Sequence, residues 1–269
     1  AVPVSRALAE LGADYLAVSN LEEAVQLRRG EIRLPILILG YTPPEYAENM
    51  IYLDITQEVH SLEYAKELDA SLAGTNYILN VHLKLDTGMT RIGFFAYDNE
   101  RTLDELKQVA ALPHLRIEGV FMHFCVADST AGEDVAFTRL QFQRFTDMLS
   151  AMEGVGIRPE IRHCCNSGAT ILYPEYALDM VRPGIITYGI APSAELEGAI
   201  SLRPMMSLHS MIAQVRTVPA GTDISYGRLY RTKEATRVAV LPIGYADGLS
   251  RLLTGKASFY LHGAMVPVI

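Results

Sequence analysis

YLAVSNLEEAVQLRRGEIRLPILIL, residues 15–39, holds one strand–helix–strand unit. The apolar runs at 15–18 and 36–39 have strand length, and 21–29 between them has helical spacing. The alternation continues outward. Apolar runs recur at 53–55, 79–85, 117–123, 161–165 and 178–181, with helix patterns at 44–50, 61–73, 99–111, 133–153 and 167–173. The longest helix, 133–153, places Phe137, Leu140, Phe145, Met148 and Leu149 on one face. Gly154 and Gly156 end it. Such alternation predicts a parallel sheet. No GxGxxG follows the first strand, so the dinucleotide-binding fold loses its main marker. Seven strand–helix units are visible. One more strand ahead of residue 1 would close a TIM (β/α)8 barrel of roughly 250 residues.

The pattern changes near residue 200. Apolar side chains at 206, 208 and 212 approach period two, Pro219-Ala220-Gly221 signals a turn, and 238–242 and 257–261 are further strands. The expected organisation is a (β/α)8 barrel over 1–202, without its first strand, followed by part of an all-β domain over 203–269. Residue 1 already lies inside the amphipathic helical stretch AVPVSRALAELG, and the last residues stop in an apolar run. Both ends therefore read as cuts within a longer protein.

The 269 residues carry 23 Lys and Arg against 31 Asp and Glu, a net charge of −8. That acidic balance, with no basic run, argues against nucleic acid as a partner. Apolar residues at 49 % and charged ones at 20 % are globular composition. No apolar run reaches the ~18 residues a membrane span needs. Cys125, Cys164 and Cys165 form no CxxC pair, which fits a reducing compartment and plain packing. No His/Cys/Asp cluster has metal spacing.

Barrel chemistry sits at the carboxyl ends of strands. There the chain has KLDTGMTRIG (84–93), MHFCVAD (122–128), HCCNSGA (163–169) and VRPGIITYG (181–189). The last two would follow strands seven and eight, where barrels often bind phosphate with backbone N–H groups. Ser167 precedes a short helix, and Gly184 lets a ligand approach the backbone closely. Asn166-Ser167 reads equally well as a helix N-cap alone.

Six motifs in order, KLDTGMTRIG, MHF, HCCNSGA, VRPGIITYG, ISYGRLY (224–230) and LPIGYADG (241–248), make the chain resemble the bacterial alanine racemases. These are fold-type III pyridoxal-phosphate (PLP) enzymes, and the resemblance runs along the whole chain. It implies a PLP-dependent isomerase that interconverts L- and D-alanine, supplies D-alanine for peptidoglycan and works in the cytoplasm as a head-to-tail homodimer. The family's PLP-bound lysine lies in a motif upstream of AVPVSRAL, and that motif is absent here.

Racemisation by two bases needs one base on each side of the substrate. The resemblance implies that these are the upstream lysine and Tyr226, the latter from the neighbouring subunit. A phenol with an ordinary pKa near 10 needs assistance, and His123 matches the histidine that provides it. Arg182 matches the arginine facing the PLP pyridine nitrogen, and His163 the histidine bracing that arginine. Ser167, Gly184 and Ile185 match phosphate contacts, with Asn166 beside them. Arg91 matches the arginine near the PLP phenolic oxygen and the substrate carboxylate. Lys84 matches a position often carbamylated, and Tyr245 an entry-corridor tyrosine. His60, His82, His114, His209 and His262 gain no role from the resemblance. Alternatives from the same pattern are a serine racemase of the vancomycin-resistance type, for which ILGYTPPE (38–45) and HFCVADS (123–129) have some flavour, a non-catalytic PLP carrier, and a PLP decarboxylase.

Overall fold

Asn20, Ser61 and Asn166 each start a helix by accepting a backbone N–H, from Glu23, Tyr64 and Ala169 at 3.0, 3.1 and 3.1 Å. The computed structural model describes residues 1–269 as two units, Ala1–Met205 and Met206–Ile269. In the first unit, in chain order, α1 is Val2–Glu10, β1 Leu16–Val18, α2 Leu21–Arg29, β2 Ile36–Ile38, α3 Ala47–Tyr52, β3 Ile55–Val59 and α4 Leu62–Ser71. There follow β4 Leu79–Asp86, β5 Phe94–Phe95, α5 Asn99–Ala110, β6 Leu115–Phe121, α6 Gly132–Gly154, β7 Ile161–His163 and α7 Ser167–Leu172. The sheet runs β1-β2-β3-β4-β6-β7, every pair parallel, with β5 on the end of β4. Neighbours in sequence are neighbours in the sheet, as in a (β/α)8 barrel, and Tyr15, just ahead of β1, hydrogen-bonds Glu118 in β6. That reach across the interior shows the sheet curling into a barrel wall.

Period-two alternation in β4 separates two environments. Val81, Leu83 and Leu85 join the apolar core with Leu68, Leu106, Val109 and Phe145. His82, Lys84 and Asp86, on the other face, are buried too. Buried polar groups need partners, and those partners build the site below.

Three sequence expectations are corrected. The third strand is Ile55–Val59 and not 53–55: it pairs with both neighbours through Gln57, and Gln57 and Glu58 are fully buried although polar. The run at 178–181 contributes one bridge, Met180 to His163, and no strand. The inward stripe of α6 is Thr138, Gln141, Phe145, Met148 and Met152, with Leu140 exposed. Gln141 occupies one of those positions because it has buried bonds to make.

The second unit contains three antiparallel pairs: β8 (Gln214–Val218) with β11 (Thr236–Val240), β9 (Asp223–Ile224) with β10 (Tyr230–Arg231), and β12 (Ser258–Leu261) with β13 (Ala264–Pro267). The period-two reading from residue 206 fails ahead of 214, where the chain is irregular and exposed. Thr232, which is buried, ties the β8–β9 turn by donating to the Pro219 carbonyl at 2.7 Å and accepting from Thr222 N at 2.9 Å.

Candidate active site

Arg182 follows the Met180 bridge at the carboxyl end of the sheet, and its guanidinium is tightly constrained. Nη1 donates to His163 Nδ1 at 2.6 Å. Nη2 donates to the Met122 and Cys164 carbonyls at 2.7 and 3.2 Å and lies 3.5 Å from His123 Nδ1. The plane lies over the Phe121 ring, 5.3 Å from its centroid. His163 stacks on the same ring at 4.8 Å, and Lys84 Nζ is 4.7 Å from its centre. Three strand ends thus converge on Phe121. Arg182 Nε makes no hydrogen bond within the protein, so its N–H is left for a ligand.

The electrostatics follow from cations sharing a desolvated space. Burial, with Arg182 and Arg91 nearby, lowers Lys84 to about 7. Burial and then Arg182, Lys84 and Arg91 lower His123 to about 3, so its imidazole is neutral at pH 7. His163 is depressed for the same leading reason. Burial brings Arg182 down to about 10, which leaves it cationic. A cationic strand end with neutral imidazoles suits an anionic ligand.

Asn166 and Ser167 sit beside this group. Asn166 Nδ2 donates to the Phe124 carbonyl at 3.0 Å and lies 3.4 Å from His123 Nε2. Its Oδ1 caps α7, so the N-cap reading holds alongside whatever else it does. Ser167 Oγ accepts from Gly184 N at 2.9 Å, joining the two loops read as a phosphate site. No protein atom lies within 4 Å of a Cβ built on Gly184, so that backbone borders open space. Ile185 begins the next turn and is exposed. Arg91 is exposed in the 87–93 loop. Asp86 shapes that loop by accepting from Gly88 N and Thr90 N at 2.9 and 3.0 Å. Gly93 is obligatory there, because a Cβ would stand 2.8 Å from Lys84 O and Asp86 N.

The first unit therefore brings together His123, His163, Arg182, Lys84, Asn166, Ser167 and Gly184. Tyr226 and Tyr245 lie in the second unit, 73 % and 62 % exposed. Sequence reading passed over Phe121, Gln141, His82 and Glu118. Gln141, buried on α6, bonds Cys125 N, Thr87 Oγ1 and the His123 carbonyl at 3.2, 3.2 and 3.3 Å, tying two strand ends. The alternation His82, Lys84, Asp86 in one strand was the available signal for His82.

A parallel barrel with a cationic, imidazole-lined carboxyl end defines an enzyme for an anionic ligand. Residues 1–192 match a family model described as alanine racemase, N-terminal domain, and residues 205–269 one described as alanine racemase, C-terminal domain. An alanine racemase of Desulfovibrio desulfuricans is 45 % identical over 269 residues, all of this chain and 71 % of that protein. The alanine racemase structure from D-cycloserine-producing Streptomyces lavendulae superposes with TM-score 0.90 at 36 % identity, covering 98 % of this chain and 69 % of that one. The Bacillus anthracis alanine racemase structure with bound L-Ala-P gives TM-score 0.88 at 35 % identity, covering 99 % and 68 %. The chain belongs to the alanine racemase family, a family of PLP-dependent amino-acid isomerases. No helix is long and apolar enough to cross a membrane.

Proposed function

We propose that this chain interconverts L- and D-alanine by two-base transfer of the α-hydrogen, using PLP, and so supplies D-alanine for peptidoglycan in the cytoplasm. The observation that carries the reading is Arg182, pinned by two carbonyls and His163 with its Nε–H left over. The donor set suits PLP. Gly184 and Ser167 border open space for a phosphate, Arg182 Nε would face the pyridine nitrogen, and Arg91 and Lys84 add positive charge for the phenolic oxygen and the substrate carboxylate. When bound, PLP supplies the electron sink that acidifies the α-hydrogen.

Arg182 remains a cation and donates without giving up its proton. It would therefore hold the ring nitrogen of bound PLP unprotonated and so moderate that sink. His123 is neutral and offers a ring nitrogen to assist the Tyr226 phenol. Tyr226 serves one face of the substrate, and a lysine upstream of Ala1 serves the other. Tyr245 lines the entry. Tyr226 comes from the second unit of a neighbouring copy, so each site of the head-to-tail homodimer draws on two chains.

Dilution tests this reading. The full-length enzyme with PLP is expected to racemise alanine in a coupled assay and to lose activity per chain as it dissociates. Constant activity through dissociation, followed by analytical ultracentrifugation, would remove the shared site. Absence of turnover in an intact dimer would remove the racemase.

Lys84 makes a separate prediction. An amine lowered to about 7 by burial is about half unprotonated at neutral pH and is then nucleophilic. Attack of Nζ on CO2 forms an N–C bond, releases a proton and replaces the amine by a carbamate anion that Arg91 can pair with. A carbamate 13C resonance should appear when the protein is equilibrated with labelled bicarbonate and be missing from Lys84→Met. Its absence from the parent protein would leave Lys84 as a plain amine.

A further inference from the structure

Behind Arg182 a line of buried polar groups runs down the barrel interior. His163 accepts from Arg182 at Nδ1, and its Nε2 is 2.9 Å from His82 Nδ1. His82 Nε2 is 3.2 Å from Glu118 Oε2. Tyr15 OH donates toward Thr56 Oγ1 at 2.9 Å and Glu118 Oε2 at 3.1 Å, and Thr56 toward the same oxygen at 3.2 Å. Tyr15 and Thr56 come from the amino-terminal ends of their strands and Glu118 from the middle of β6, while Arg182 lies at the carboxyl end. The line therefore spans the sheet from one end to the other. Both imidazoles are fully buried.

The polarity of this line is determined by its ends. A guanidinium only donates and a carboxylate only accepts. His163 Nδ1 must then be bare and its Nε2 protonated. His82 must accept at Nδ1 and donate from Nε2. Reversing His163 would aim one N–H at another. The His82 hydrogen bond, followed by smaller contributions from Tyr15 and Thr56, holds the Glu118 carboxyl below its usual range against the opposing effect of burial. That keeps the accepting end anionic.

The backbone is shaped around the line. The β4–β6 register slips between Val81 and His82, so that Val81 pairs Ile117 while His82 pairs Gly119. Glu118 is the extra residue of that bulge, a device that re-aims a side chain. A Cβ on Gly119 would stand 2.6–2.7 Å from the His82 ring, so glycine leaves room for the imidazole.

We propose that Glu118 and His82, supported by Tyr15 and Thr56, are positioning residues that impose the Nε2–H tautomer on His163 and thereby set the Arg182 guanidinium. The kinetic part rests on the racemase reading; the proton assignment does not. Neutron diffraction of the deuterated full-length enzyme should show deuterium on Nε2 of both His82 and His163 and none on His163 Nδ1. Deuterium on His163 Nδ1 would overturn the proposal. Glu118→Ala should lower kcat about tenfold, the scale of losing an outer partner of a reactive group, with little change in KM. Glu118→Gln, which keeps an acceptor oxygen for His82, should recover most of it. Wild-type kcat in Glu118→Ala would sink the positioning role. A variant that fails to fold leaves the neutron map of the parent to decide. An inactive parent would speak against racemisation while the map still judged the tautomer.

Discussion

Tyr226→Phe in the full-length enzyme is expected to slow α-hydrogen exchange from one enantiomer of alanine by about 10²–10⁴-fold, the usual contribution of a positioned acid–base group. Exchange from the other enantiomer, with return to the same face, should persist. The asymmetry follows from geometry: a base on one side of the substrate serves one hand only, and the phenyl ring cannot take up a proton. The variant should leave the local backbone intact. Ser225, Gly227 and Arg228 flank Tyr226 with φ of 59°, 78° and 53°, a tight left-handed turn. It is braced by the ion pair of Arg228 with Asp223, Nε to Oδ2 at 2.7 Å. Neither feature uses the phenol oxygen. Deuterium wash-in from solvent, followed separately for L- and D-alanine by NMR, measures the effect. Equal losses in both directions would show that Tyr226 is not a one-sided base.

Acid should unfold the first unit well before its carboxylates are all protonated. His123 and His163 are held below their unfolded value by burial first and cations second. Below about pH 6.5 the unfolded chain takes up protons that the folded chain refuses. The imidazole contribution to stability is therefore full above that pH and falls as pH drops through the window, which for His123 reaches down to about 3. An imidazole so held removes up to about 1.4 kcal/mol per pH unit, so His123 removes about 2 kcal/mol by about pH 5, and His163 acts in the same direction. Glu118 adds to this lower down. Its folded carboxyl is depressed, so its contribution is present above the unfolded carboxylate value and lost as pH falls through the folded one. Urea midpoints read by helical circular dichroism report on this unit, since every α-helix lies within it. His123→Gln should remove about half of the slope above the carboxylate range. A midpoint unchanged from about pH 7.5 to about pH 5 would mean that the imidazoles titrate normally.

Arg182 stays charged because carbonyl oxygens and a bare imidazole nitrogen surround it. Burial, and then the same charge with Lys84 and Arg91, keeps His123 neutral. One arrangement thus produces both a donor that does not surrender its proton and an imidazole free to assist a phenol. It also makes the fold sensitive to acid.

Parallel strands joined by helices were legible in the residues themselves, because burial on both sides demands apolar runs and helical spacing fills the stretches between them. Strand ends carrying His123, His163 and Arg182 were legible for the same reason: the apolar pattern breaks where chemistry begins. Glu58 and Gln57 hid a strand, since a buried polar side chain looks like surface until its partner is known. Glu58 accepts His60 Nδ1 at 3.0 Å, a contact no local pattern announces. Leu140 was misplaced on α6 because Gln141, an inward residue, bonds to three groups distant in sequence. His82 and Glu118 lie 36 positions apart and meet only through a register slip. The amino-acid order alone determined the alternation, the domain change near residue 200 and the motifs. Tertiary structure alone decided which imidazole nitrogen faces a donor, which cations share a space and which polar groups are buried, because each depends on distances between strands that sequence separation does not encode.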